Sequence, residues 1–139
     1  GGQLPKKAMD LKARGNEEFK AGMFERACEH YTQALDVLKG RNGGAEGRTL
    51  LCNRAAASLQ LRDYEGVIAD CTKVLDEDPD SVKALARRCL AYESTERLVE
   101  AAADAQKAVS VEHSAPGGGG LSQLGRRAQE CLGRCRKAE

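Results

Sequence analysis

The sequence predicts an all-α fold: three helical hairpins stacked side by side and closed by a last helix. Three observations carry this reading. Apolar residues recur at helical spacing along most of the chain, a set of anchor residues repeats at an interval of 34, and the helical stretches are separated by glycine, proline and acidic turn residues.

The repeat is seen by aligning Phe24-Glu-Arg-Ala27 with Tyr64-Glu-Gly-Val67 and Leu98-Val-Glu-Ala101. Each opens on an aromatic or large apolar residue, with a small or short apolar one three positions later. Four positions further stand Tyr31, Cys71 and Ala105, and each unit closes on a pair: Ala34-Leu35, Val74-Leu75 and Ala108-Val109. Tyr64 and Leu98 are 34 residues apart, and Phe24 and Tyr64 are 40 apart. The six extra residues fit the stretch Gly40 to Gly47, whose four glycines and one asparagine predict a loop. Loop length between stacked helices costs little closure entropy, so the period survives the insertion. On this register the units span about residues 8–47, 48–81 and 82–115.

Each unit divides into two helices, A and B. In the first, helix A runs from about Pro5 to Lys20 and helix B from about Phe24 to Leu38, with a break at Ala21-Gly22-Met23. Gly22 suits the left-handed position that ends a helix. The second unit breaks near Arg62-Asp63, and its B helix stops near Asp78-Pro79, because proline lacks a donor and disfavours helix before it. The third breaks near Thr95-Glu96. A link over 113–120 follows, rich in glycine, and then a helix over about 121–137. That helix has Leu121, Leu124, Ala128, Cys131, Leu132 and Cys135 at helical spacing and Arg126, Arg127, Arg134, Arg136 and Lys137 mostly on the other side. Such a pattern fits a cap that gives the array a polar outer face.

Composition limits what the chain can do. Charged residues make up 31% of its 139 positions, yet the net charge is +1, so no bulk field recruits nucleic acid or an anionic membrane. No window reaches the roughly 18 apolar residues of a membrane span, and the N-terminus has no signal-peptide core. A cytosolic, monomeric domain is expected, on its own or as part of a larger protein. The six cysteines read as reduced, mostly buried thiols acting as small hydrophobes: Cys28, Cys52, Cys71 and Cys89 take apolar or small-residue positions, and Cys131 and Cys135 form an i, i+4 pair. With no Cys-x2-Cys pair and with His30 and His113 isolated, no zinc site is expected. The glycine runs at 43–47 and 117–120 lack the context of a phosphate loop, and no nucleophile elbow occurs. Neither catalysis nor a cofactor is expected.

A helix-turn-helix period of 34 residues with Gly15, Phe24, Ala27, Tyr31 and Ala34 in the first unit and Pro79 closing the second resembles the tetratricopeptide repeat family. Val67 stands where that pattern has a small alanine, and Glu96 where it has a turn glycine. The resemblance covers essentially the whole chain and implies a right-handed α-solenoid of three repeats with a C-terminal capping helix. Stacked pairs of this kind twist into a superhelix whose A helices line a groove.

The polar residues offered by the A helices are then Lys12 and Asn16, Asn53, and Lys83 and Arg87. Lys83 and Arg87 repeat the i, i+4 spacing of Lys12 and Asn16, which puts each pair on one helix face. Three cations and two amides with few acids nearby suit an anion, and amides donate to carboxylate oxygens without adding repulsion. The set is similar, residue for residue, to the carboxylate clamp of chaperone-binding tetratricopeptide domains, and "GNEEFK", "NRAAA" and "VKALARR" resemble that subclass. The resemblance implies that Lys12, Asn16 and Asn53 hold the terminal carboxylate of a Glu-Glu-Val-Asp tail of heat-shock protein 70 or 90. It implies that Lys83 takes the last aspartate side chain and Arg87 the peptide upstream. Arg54 and Arg88, each one residue past a clamp position, are expected to contact neighbouring repeats or solvent. Asp76 to Asp80 reads as a solvated turn. Other readings are a scaffold for a different peptide or helix, or the receptor domain of an organelle-import or myosin-assembly factor. The third repeat and tail loosely resemble mitochondrial import receptors, and the long loop resembles myosin-assembly chaperones.

Overall fold

The computed structural model describes residues 4–38, 44–117 and 120–138. They form seven helices and no strand: α1 (Lys6–Lys20), α2 (Phe24–Leu38), α3 (Gly44–Gln60), α4 (Tyr64–Glu77), α5 (Val82–Ser94), α6 (Leu98–His113) and α7 (Gln123–Lys137). Each helix packs on the next. The odd-numbered helices also meet one another along the array, α1 on α3, α3 on α5 and α5 on α7, whereas no two even-numbered helices do so. Close spacing on one side and spreading on the other make the odd-numbered layer the inner face of a curved stack.

The three hairpin turns share one geometry. The residue at the turn is left-handed in each: Gly22 at φ +77°, Arg62 at +62° and Glu96 at +63°. Around it the same two hydrogen bonds close the helix, Gly22 N–H to Phe19 O and Met23 N–H to Glu18 O in the first turn. Arg62 to Leu59 with Asp63 to Ser58, and Glu96 to Glu93 with Arg97 to Tyr92, repeat them. This is the Schellman arrangement, and the orphan carbonyls of α1, α3 and α5 are satisfied by it. Only the first turn uses glycine, so the other two accept a steric cost of roughly 1–2 kcal/mol each.

Helix starts are set by side chains. Asp63 accepts from Gly66 N–H at the start of α4, and Ser81 accepts from Ala84 N–H at the start of α5. Pro79 follows the end of α4 at Glu77. At the last junction Glu112 of α6 accepts from the backbone N–H and the hydroxyl of Ser122, both at 3.0 Å, while Ser122 caps α7 through Gly125 N–H. A side chain at Gly125 would displace the Glu112 carboxylate from its place over Ser122, so glycine keeps this contact open.

Three expectations are corrected. The loop over 40–47 is shorter than its glycines suggested: residues 40–43 lie outside the described residues, but Gly44 to Gly47 form the first turn of α3. The cause is distant in sequence, since Glu77 of α4 accepts from Gly44 N–H at 3.2 Å and from Arg48 at 3.1 Å. The acidic run is therefore more than a solvated turn. Glu77 holds the start of α3, and Asp80 stands 3.9 Å from Lys107. The link over 113–120 begins one residue inside α6, which ends at His113; residues 118 and 119 lie outside the described residues.

The buried residues fall into two clusters. The first, around α1 to α4, combines larger side chains such as Tyr31, Leu35, Leu50, Val67 and Val74 with alanines. The second, around α5 to α7, consists of Leu85 and Leu132 with alanines and the thiols Cys89, Cys131 and Cys135. Small residues let α5, α6 and α7 approach closely.

Candidate functional site

All five residues singled out from the sequence stand on the inner, odd-numbered helices: Lys12 and Asn16 on α1, Asn53 on α3, Lys83 and Arg87 on α5. Asn16 and Asn53 are brought together. The Tyr31 hydroxyl donates to Asn16 Oδ1 at 2.6 Å, and Asn53 Nδ2 donates to the same oxygen at 3.4 Å. With Oδ1 used twice, the Asn16 NH2 group has both donors left for a ligand. Burial, and then the nearby Cys28 and Glu18, push the Tyr31 hydroxyl up to about 12, so it stays a donor at neutral pH.

Tyr31 reaches Asn16 because Gly15 has no side chain. A Cβ at Gly15 would lie 2.6 Å from the Tyr31 ring, so the ring of α2 rests directly on the backbone of α1. A mid-helix glycine costs about 1 kcal/mol in propensity. Here that cost is offset by a close crossing that sets the orientation of the neighbouring amide.

Arg87 joins the same region from α5. Its Nη1 donates to the Cys52 carbonyl at 3.1 Å, one residue before Asn53 on α3. None of the ion pairs among the described residues involves Lys12, Lys83 or Arg87. The inner face thus carries three cations without carboxylate partners and two amides. Lys83 is exposed and the other four are half-buried. Among the described residues no hydrogen bond joins Lys12 or Lys83 to the Asn16–Asn53 pair, and a ligand engaging all five spans α1, α3 and α5.

Arg54 and Arg88 behave differently. Arg54 donates through Nε and Nη2 to both oxygens of Asp70 at 2.8 and 2.7 Å, and through Nη1 to Thr32. Arg88 does the same to Asp104, at 2.7 and 2.8 Å, and to Thr72. Each arginine therefore ties its own B helix to the preceding one. Hydrogen bonding to the aspartate raises both guanidinium groups above their ordinary range. From the sequence these arginines are expected to contact neighbouring repeats or solvent; the structure adds Asp70 and Asp104 of their own repeats. The signal was available: both arginines and both aspartates recur at the 34-residue interval.

No protein-family model matches the chain. Among known sequences, sperm-associated antigen 1A of Danio rerio is 39% identical over 115 residues, which cover 81% of this chain. The chain spans only 27% of that relative's length. Among solved structures, an Arabidopsis OM64 TPR domain is 33% identical with a TM-score of 0.78, covering 96% of this chain and 98% of that one. The second TPR domain of human RPAP3, solved in complex with the HSP70 peptide SGPTIEEVD, is 32% identical with a TM-score of 0.74, covering 94% and 95%. Helix pairs at a 34-residue interval, a shared turn geometry and likeness over nearly the full length of both domains lead to one conclusion: the chain belongs to the tetratricopeptide repeat family.

Proposed function

We propose that the inner face of α1, α3 and α5 binds the acidic C-terminal tail of heat-shock protein 70 and 90 chaperones, of the Glu-Glu-Val-Asp type, and that the domain serves as an adaptor in the cytosol. The observation that carries this reading is the set of three cations without ion-pair partners beside an asparagine pair whose shared oxygen is already satisfied. Such a set offers mainly donors, and a peptide ending in two carboxylates accepts them. Lys12, Asn16 and Asn53 hold the main-chain terminus, Lys83 the aspartate side chain, and Arg87 the peptide upstream. The RPAP3 domain in complex with such a peptide supports the assignment by likeness of fold and sequence.

Charge-assisted hydrogen bonds contribute roughly 1.5–3 kcal/mol each, but ordering an extended peptide offsets much of the sum. A micromolar Kd, about −8 kcal/mol, results. Binding weakens with salt because the contacts are partly exposed. Calorimetry tests the reading with a tail ending in Glu-Glu-Val-Asp and the same tail amidated at its terminus. The free acid binds, and amidation weakens it about tenfold or more, equivalent to 1.4 kcal/mol. Equal affinity for both peptides would sink the clamp and leave a scaffold for another partner.

A further inference from the structure

At the junction of α5 and α7, far from the asparagine pair, a second group of side chains converges. Cys131 and Cys135 are four residues apart on α7, and Cys89 and Glu93 are four apart on α5. Each pair lies on one helix face, and the two faces meet. One carboxylate oxygen of Glu93 and the sulfurs of Cys131 and Cys135 all lie within 4.8 Å of one another. The Cys131 thiol also points at the Cys89 carbonyl, with Cys89's own side chain beside it, its thiol donating to the Ala86 carbonyl at 3.1 Å. All three cysteines are buried and unoxidised. Over the cluster Arg134 grips both Glu93 oxygens at 2.7 and 2.9 Å.

We propose that this junction is a binding site for a thiophilic divalent cation of the Zn2+ class, with the sulfurs of Cys89, Cys131 and Cys135 and one oxygen of Glu93 as its four donors. Two i, i+4 pairs on facing helices bring these four side chains to one junction, the arrangement by which helical bundles build metal sites. Zinc–sulfur bonds of about 2.3 Å place tetrahedral sulfurs about 3.8 Å apart; Glu93, Cys131 and Cys135, within 4.8 Å of one another, close on an ion by small side-chain rotations, and Cys89 joins them by turning its sulfur away from the Ala86 carbonyl. Thiolate donors select zinc-like ions over magnesium or calcium. On binding, each sulfur gives its proton to solvent as its lone pair passes to the ion, so three protons leave per ion; the carboxylate releases none. Arg134 then holds Glu93 from outside the donor set and offsets part of the excess negative charge. The sequence predicts no metal because it holds no Cys-x2-Cys pair within one segment; this set is assembled by helix packing.

The test is a Co2+ titration of the reduced full chain, followed by Zn2+ displacement. One equivalent should give the thiolate charge-transfer and visible bands of tetrahedral cobalt, bleached by Zn2+, with release of three protons and a rise in thermal midpoint. The double variant Cys131→Ala/Cys135→Ala should lose the bands, whereas Cys28→Ala should keep them. Should the double variant fail to fold, Glu93→Gln, at a part-exposed position, decides: it should shift the spectrum and weaken affinity by about 10–100-fold, as should Arg134→Gln by orientation alone. Absence of thiolate bands in the folded wild type, or bands that persist unchanged in Glu93→Gln or in a folded double variant, would overturn the proposal. Peptide binding is not involved, so the outcome is independent of the clamp.

Discussion

Arg87 and Arg88 are neighbours in sequence on α5, yet they belong to two different regions of the molecule. Arg88 turns toward α4 and α6, where it makes a bidentate pair with Asp104; side-chain exposures of 19% and 8% leave little water to compete. Arg87 turns to the inner face, where its one protein partner is a backbone carbonyl. A helix places successive residues about 100° apart, so a single step moves a guanidinium from the interior of the array to its binding face. The same contrast separates Arg54 from Asn53 on α3. The lesson is that charge type says little about role in this fold, whereas position within the 34-residue period says a great deal.

The sharpest way to break the comparison is Arg88→Ala. It strands the Asp104 carboxylate in a nearly dry site, and the loss of stability in urea melts should reach about 3–5 kcal/mol. Replacing the pair together, Arg88→Met with Asp104→Leu, should recover most of that loss, since a well-packed apolar pair is often no less stable than a buried ion pair. Next in size is Gly15→Ala. The added methyl meets the Tyr31 ring, and overpacking should cost about 1–3 kcal/mol in the same melts. Because the ring orients Asn16, peptide affinity should fall even at temperatures where the variant stays folded.

Arg87→Ala should do the reverse of Arg88→Ala. Stability should change by about 0.5 kcal/mol or less. Calorimetric affinity for an acidic tail should drop about tenfold, or 1.4 kcal/mol. A large stability loss with unchanged affinity would erase the distinction between the two faces. The smallest effect should come from Glu96→Gly, which relieves a left-handed backbone and should raise stability by about 0.5–1 kcal/mol in thermal melts.

Much of this architecture is legible in the residues. Phe24, Tyr64 and Leu98 mark the B helices, and Gly22 and Pro79 mark two ends, because local sterics act within a few positions. The inner-face residues were also readable, since their spacing within the period is a sequence property. What was not readable depends on residues far apart in the chain. Glu77 starts α3 earlier than the glycines suggest, because its carboxylate supplies a cap from 33 residues away. Asp70 and Asp104 look like ordinary surface acids until packing buries them against an arginine. Cys89 and Cys131, 42 residues apart, become neighbours only when α7 closes on α5.

The arginine–aspartate ties carry one more consequence, best put in the language of a one-dimensional lattice. Each tie spans a helix pair and the pair before it, so it acts as a coupling between adjacent sites of the chain. The first pair has no predecessor. Position 30 there is histidine, paired to Glu18, and Arg14 at the position matching Arg54 is exposed and without an ion pair among the described residues. The array is thus an open-ended lattice whose first pair lacks this tie, and that pair includes α1, the helix that carries Lys12 and Asn16. Fraying from that end lowers the fraction of molecules competent to bind, and a bound ligand bridging α1 to α5 adds the missing coupling by mass action. Amide exchange in α1, faster than in α3 and slowed by ligand more than elsewhere, would register that terminal coupling.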